Sequence, residues 1–255
     1  MKIAVSGKGG VGKTTVAANL IKAFVKDGYK VYAVDADPDV SLGLTLSLPS
    51  DELDKLKPLI EMKEVMNEKS SGGGLFYSLN PEVDDVIEDY SLKHGNISFL
   101  RMGGIKQGGS ACYCKENSFL SAVLNSLLFD KNDVVIMDMS AGIEHLTRGT
   151  SEGVDMIIVV TEPTRVSVQT TRVVIQLARD LGIKKVKVLG NKIRHAREKE
   201  FIYSQFQEGE LLGVVSFDDN LWEKAMMEEA GNLDEVLLPS MDEIYKKVLE
   251  EVNKK

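Results

Sequence analysis

"KIAVSGKGGVGKTTVAANLIKAFVKDG", residues 2–28, decides the fold. Residues 2–6 form a short, nearly continuous apolar run of the kind that makes a buried strand. Residues 14–28 carry apolar side chains at helical spacing and end at Gly28, where a helix C-cap belongs. Between the two lies "GKGGVGKTT", Gly7 to Thr15, which fits the pattern G-x-x-x-x-G-K-[ST] in the strand–loop–helix setting that this pattern requires. Gly9, Gly10 and Gly12 permit a backbone path that turns N–H groups inward, and the helix that follows aims its positive end at the same place. A loop of this kind cradles phosphate.

The same alternation continues outward from this unit. Residues 31–35, 97–102, 134–139, 155–161, 185–191 and 211–217 read as further buried strands, and residues 164–182 as a helix ending at Gly182. Strands alternating with helices imply an α/β fold: a doubly wound, mostly parallel sheet with helices on both faces. The length of 255 residues suits one such domain, and no composition shift divides it, so residues 1–255 are read as a single domain. Residues 68–75, "EKSSGGGL", read as a surface loop, Ser118 to Phe129 as a helix, and "MDEIYKKVLEEVNKK" (241–255) as an amphipathic packing helix.

Net charge is −8, which argues against a nucleic-acid partner, since phosphate neutralisation needs a basic face. No apolar run approaches the roughly 18 residues of a membrane span. The N-terminal run leads into glycines, so it is a strand and not a signal peptide. The expected compartment is the cytoplasm, where thiols stay reduced.

The motif itself assigns several roles. Lys13 reaches the β/γ-phosphates of a bound nucleotide and the Thr14 hydroxyl ligates Mg²⁺, with Val11 and Thr15 completing the nucleotide-binding loop. Carboxylates at the C-terminal ends of parallel strands face the ligand crevice. That places Asp35 and Asp37 of "VDADPDVS" (34–41), and Asp138 of "VVIMDM" (134–139), beside the nucleotide. Asp138 ends its strand as a Walker B aspartate does and would hold Mg²⁺ through water. Asp39 stays open between a site residue and a turn former.

The loop contains a second lysine, Lys8, that an ordinary phosphate loop does not need. "KGGVGKTT" resembles the deviant Walker A motif of the dimeric P-loop ATPases that include nitrogenase iron protein, MinD and the partition ATPases. The resemblance implies the P-loop NTPase fold of that group and a homodimer in which Lys8 crosses to the partner's nucleotide. It also implies that Asp37 positions the attacking water and that Asp35 sits near the Mg²⁺ shell. Asp138-x-x-Ala141-Gly142 looks like the family's switch II, with Gly142 approaching the γ-phosphate. Asn191 and Lys192 of "GNKI" match the base-reading position. Arg194 stands where a guanine-selecting aspartate would be, which favours ATP and ADP over guanine nucleotides. Val215-Ser216-Phe217 replaces the Ile-Pro pair of many relatives, so no base contact is expected there.

Both cysteines, Cys112 and Cys114, lie in "IKQGGSACYCKENSFL" (105–120). Residues at i and i+2 make a strained disulfide ring. The stretch is polar, and Lys106 and Lys115 favour thiolate, the metal-binding form. Two thiolates do not close a soft-metal site, but a two-fold dimer supplies four. Sulfur donors suit Ni²⁺, Zn²⁺, Cu(I) or an iron–sulfur cluster, and the residues alone leave these open. None of His94, His145 and His195 stands at metal-ligand spacing to another, and His145 reads as a structural polar contact ahead of a transient ligand.

"GKGGVGKTT", "DADPD", "CYC" and "AGIEHLTRGT" (141–150), in this order, resemble the CooC-type nickel-insertion accessory ATPases of carbon monoxide dehydrogenase. That resemblance implies an ATP-hydrolysing metallochaperone. Nickel, or Zn²⁺ in the same place, would sit on four cysteines across the dimer, and carbon monoxide dehydrogenase would be the target. Ser140 departs from relatives that carry Glu there. The rival expectation is an iron–sulfur scaffold or electron-transfer ATPase of the same fold.

Overall fold

The computed structural model describes residues 1–37, 41–62, 64–65, 84–103, 122–123, 126–127, 133–140, 143, 146, 151, 153–224, 238 and 240–254. Eight strands form one sheet: β1 (Lys2–Gly7), β2 (Lys30–Ala36), β3 (Leu92–His94), β4 (Ile97–Arg101), β5 (Asp133–Met139), β6 (Met156–Thr161), β7 (Val186–Ile193) and β8 (Leu211–Ser216). Their order is β3-β4-β2-β5-β1-β6-β7-β8. All neighbours run parallel except β3, which pairs antiparallel with β4 at the edge. The expected doubly wound α/β sheet is present.

The apolar runs are continuous because each strand feeds two cores at once. Ile3 and Val5 of β1, Val134 and Ile136 of β5, and Met156, Ile158 and Val160 of β6 face one side. Ala4, Val135, Met137, Ile157 and Val159 face the other. The first face is covered by α1 (Lys13–Lys26), through Val16, Leu20 and Phe24, and by α8 (Met241–Asn253), through Ile244, Tyr245 and Val248. The second is covered by Val86 and Ile87 of α4 (Asp84–Tyr90), by Val168, Val174, Ile175 and Ala178 of α5 (Arg165–Asp180), and by Ile202 of α6 (Ala196–Gln205).

Helix ends follow local chemistry. α1 stops at Asp27 with Gly28 at φ 85°, and α5 stops at Leu181 with Gly182 at φ 85°, both left-handed as a helix end requires. The Thr164 side chain caps α5 by accepting from the Ser167 N–H at 3.2 Å. Two short helices, α2 (Leu42–Thr45) and α3 (Ser50–Lys55), follow β2, and α7 (Asp219–Lys224) follows β8. The loop at 68–75 lies outside the described residues, as does most of the helix expected at 118–129, of which Ala122 and Val123 are helical and buried. No helix among the described residues is long and apolar enough to cross a membrane.

Candidate nucleotide site

Three adjacent parallel strands build the site at their C-terminal ends. β5 lies between β1 and β2, and Asp138 has Val5 and Asp35 as its register partners. In-register residues of parallel strands face the same way, so Asp35 and Asp138 stand side by side, both fully buried. The phosphate loop leaves β1 at Gly7. A Cβ on Gly7 would fall 2.3 Å from the Val160 carbonyl oxygen of β6, so only glycine fits there.

The loop is braced from a distance. Asn191, at the end of β7, donates from Nδ2 to the Val11 carbonyl at 2.8 Å. Lys192 donates from Nζ to the Gly10 carbonyl at 2.5 Å, its own backbone held at φ 60°. With the Val11 carbonyl held toward Asn191, the trans peptide directs the Gly12 N–H to the opposite side. Gly12 sits at φ 92°, and a Cβ there would lie 2.4 Å from Asn191 Nδ2, so close approach and backbone conformation both require glycine. α1 then begins at Lys13 with no side-chain cap and no acidic residue in its first turn, leaving its first N–H groups for an anion.

Lys13 is buried and its Nζ stands 4.0 Å from Asp37 Oδ2. Thr14 Oγ1 is 3.1 Å from Ser41 Oγ. Asp35 accepts from the Asp37 N–H at 3.2 Å on one oxygen and from the Leu42 N–H at 3.1 Å on the other. Burial raises the Asp35 carboxyl, the two amides pull it back, and the balance leaves it at about 6. Asp138 is different, because neither of its oxygens has a hydrogen-bond partner among the described residues. Burial pushes its carboxyl up to about 7. The nearby Thr14 hydroxyl opposes that shift and the neighbouring Asp35 adds to it, but Thr14 is turned toward Ser41. A buried carboxylate with both oxygens unfilled, beside a hydroxyl, is a hard-oxygen donor set that fits Mg²⁺.

Lys8 lies half-buried at the turn of the loop, its carbonyl accepting from the Val11 N–H at 3.4 Å, with Gly9 and Gly10 exposed beside it. Arg194 stacks over Phe217 at 3.6 Å and approaches Asp219 at 3.8 Å, closing the β7–β8 end of the same edge. His195 precedes α6, where its N–H donates to Glu198 at 3.2 Å, which is a structural role. Asp39, Cys112, Cys114, Gly142 and His145 lie outside the described residues. No group of three or more His, Cys, Asp or Glu residues suited to a metal ion occurs among those described. Sequence reasoning missed Ser41 and the bracing by Asn191 and Lys192. Ser41 carried a signal, a hydroxyl in the acidic loop after β2, whereas the braces come from β7, two strands away from β1.

A nucleotide-binding-domain model for CobQ, CobB, MinD and ParA matches residues 2–230. The carbon monoxide dehydrogenase accessory protein CooC of Rhodospirillum rubrum is 39% identical over 221 residues, covering 86% of this chain and 84% of the relative. The chain is a CooC-type ATPase of the MinD family. An uncharacterized ATP-binding protein of Methanocaldococcus jannaschii is 36% identical and covers 98% of both chains. In fold, this CooC-type chain is similar to MinD in the MinC:MinD complex of Aquifex aeolicus, with TM-score 0.67 and 22% identity over 98% of this chain and 96% of the other. MinD complexed with Mg-ADP from Pyrococcus horikoshii OT3 gives TM-score 0.63 and 24% identity, covering 99% and 96%.

Proposed function

We propose that this CooC-type ATPase is a metallochaperone that binds nickel through Cys112 and Cys114, shared across a homodimer, and assists nickel insertion into carbon monoxide dehydrogenase. The observation that carries this reading is the 39% identity to CooC over most of both chains, joined to a C-x-C pair in a chain with no other cysteine. Residues 1–255 act as one P-loop ATPase domain in the cytoplasm.

Lys13 moves from Asp37 to the β/γ-phosphates when nucleotide enters. The backbone N–H groups of Gly9 to Thr15 hold the remaining oxygens, while Gly142 closes on the γ-phosphate and Asn191 with Lys192 borders the adenine. Asp37, released from Lys13, orients the attacking water. Thr14 directly, and Asp138 through water, would hold Mg²⁺, which would supply charge neutralisation at the phosphates. Asp35 acts from behind by holding the backbone at Asp37 and Leu42. Lys8 reaches the partner's nucleotide, placing a cation on charge that builds in the transition state.

A face for the second copy is available. Val166, Val173 and Leu177 of α5 are 62%, 54% and 45% exposed and fall on one helical stripe. That helix begins just after β6, whose end pairs with Gly7 beside the phosphate loop. A dimer closing there would cover the stripe and bring Lys8 to the other site.

The test is titration of the reduced, anaerobic protein with Ni²⁺ while its mass is followed by light scattering. Half a nickel per chain is expected, with dimer forming as metal is added and both effects lost in the Cys112→Ala, Cys114→Ala variant. One nickel per chain on a persistent monomer, or none, would overturn the shared four-sulfur site.

A further inference from the structure

We propose that Ser41 is the second protein hydroxyl of the Mg²⁺ site, so that the segment after β2 reports metal-nucleotide occupancy directly. The inference deepens the nucleotide-site reading and rests on it. In an octahedral Mg²⁺ shell with oxygens at about 2.0–2.1 Å, neighbouring ligands stand about 3 Å apart. The hydroxyls of Thr14 and Ser41 are 3.1 Å apart, so both can occupy adjacent corners with little movement. A hydrogen bond between them would give the same spacing, so distance alone does not decide.

Two further observations point to a ligand. The first is Asp138, fully buried, with neither carboxylate oxygen partnered and the Thr14 hydroxyl next to it. No group among the described residues fills that carboxylate, and leaving it unfilled is costly. The second is how firmly Ser41 is placed. Its carbonyl accepts from the Thr45 hydroxyl at 2.8 Å and from the Thr45 N–H at 3.0 Å. The next residue, Leu42, donates its N–H to the buried Asp35 carboxylate. The peptide that follows the Ser41 Cα is thus tied down at both its carbonyl and its N–H, and the hydroxyl stands against that of Thr14. These contacts form one chain: Asp35 holds the Leu42 N–H next to Ser41, Ser41 and Thr14 stand together, and Thr14 borders Asp138.

The consequence is a coupling. Asp37 lies in the same segment, four residues before Ser41, and its N–H also binds Asp35. Metal that draws on Ser41 therefore fixes the position of Asp37. Without metal, Ser41 rests on Thr14 and Asp37 on Lys13, and each of these contacts occupies a group that Mg²⁺ or phosphate needs.

The experiment is binding of mant-ADP to the full chain, followed by fluorescence, across a Mg²⁺ titration and separately in EDTA. Ser41→Ala is expected to raise the Mg²⁺ concentration for half-maximal tightening by about tenfold, the scale of one lost polar ligand contact. Its affinity in EDTA should match the parent chain, and Ser41→Thr, which keeps the hydroxyl, should restore the Mg²⁺ response. Electron paramagnetic resonance of bound Mn²⁺ should show an altered shell in Ser41→Ala and not in Ser41→Thr. An unchanged Mg²⁺ midpoint in Ser41→Ala would overturn the proposal, and so would an equal loss in EDTA, which would make Ser41 a loop prop only. A parent chain with no Mg²⁺ dependence at all would overturn the nucleotide-site reading along with it.

Discussion

At the scale of single residues, Asp138 sets the clearest opposition between stability and function. Its carboxyl is buried, without a partner among the described residues, and pushed up to about 7. In the unfolded chain an aspartate releases its proton near pH 4. Below that pH both states are protonated and there is no penalty. Between about pH 4 and about 7 the unfolded chain has lost the proton while the folded chain keeps it, so folding stability falls as pH rises through that window. Above it the penalty is constant, on the order of 2–4 kcal/mol at 1.36 kcal/mol per unit. Asp138→Asn removes the ionisation. The nucleotide-free variant should therefore be more stable than the parent at pH 8, with a smaller gain at pH 5, in urea denaturation followed by circular dichroism. The same variant should lose the Mg²⁺ dependence of nucleotide binding. A variant no more stable than the parent at pH 8 would mean the carboxylate is not an unrelieved burden in the folded chain.

At the scale of elements, the strand–loop–helix unit of residues 2–28 formed where its pattern placed it, with β1 ending at Gly7 and α1 starting at Lys13. Two of its glycines should fail differently when changed to alanine. At Gly7 the obstacle is a backbone carbonyl in the middle of the sheet, that of Val160 at 2.3 Å, which cannot move without breaking the β1–β6 ladder. Gly7→Ala should cost at least about 2 kcal/mol of stability and lower Tm accordingly. At Gly12 the obstacle is the Asn191 side-chain amide, which can swing away at the cost of its bond to the Val11 carbonyl. Gly12→Ala should cost about 1–2 kcal/mol for a left-handed backbone that alanine disfavours, less than Gly7→Ala, and lose about tenfold or more in nucleotide affinity, as a loosened loop no longer presents its N–H groups. Differential scanning fluorimetry with and without ADP separates the two outcomes. Other elements were less legible. β3, only Leu92–His94, is too short for its alternation to register, and it is held by pairing with β4 at the sheet edge. The helix Asp84–Tyr90 and the two short helices after β2 carry too few turns to show a periodic face.

At the scale of the whole molecule, two cores sandwich one sheet, and the site lies on the edge where β1, β5 and β2 end together. The C-terminal helix joins the first core through Ile244, Tyr245 and Val248, and Tyr245 also donates to Asp27 at 2.7 Å beyond the end of α1. The Leu238 N–H, in the approach to that helix, donates to the Asn19 side chain of α1 at 2.9 Å. The helix that carries Lys13 and Thr14 is therefore propped by residues more than two hundred positions later. Ile244→Ala should cost about 2–5 kcal/mol, the usual range for emptying a fully buried isoleucine site. Equilibrium urea unfolding measures it, and a loss under 1 kcal/mol would mean α8 is only loosely seated on α1.

The sequence by itself determined the phosphate loop, the central strands to within a residue or two, and both long helix ends at Gly28 and Gly182. These are local properties: apolar runs, helical spacing and glycine conformation act over a few residues, and a single chain displays them. The acidic residues of the site were legible as types at strand ends. Their arrangement was decided only by tertiary structure. Asp35 and Asp138 are neighbours because β5 inserts between β2 and β1, although more than a hundred residues separate them in the chain. The braces from Asn191 and Lys192 to the phosphate loop, and the Ser41 hydroxyl beside Thr14, have the same origin. Strand order is set by which assembly buries both apolar faces at once, a global sum that no local pattern contains. Side-chain partners across that order follow from it.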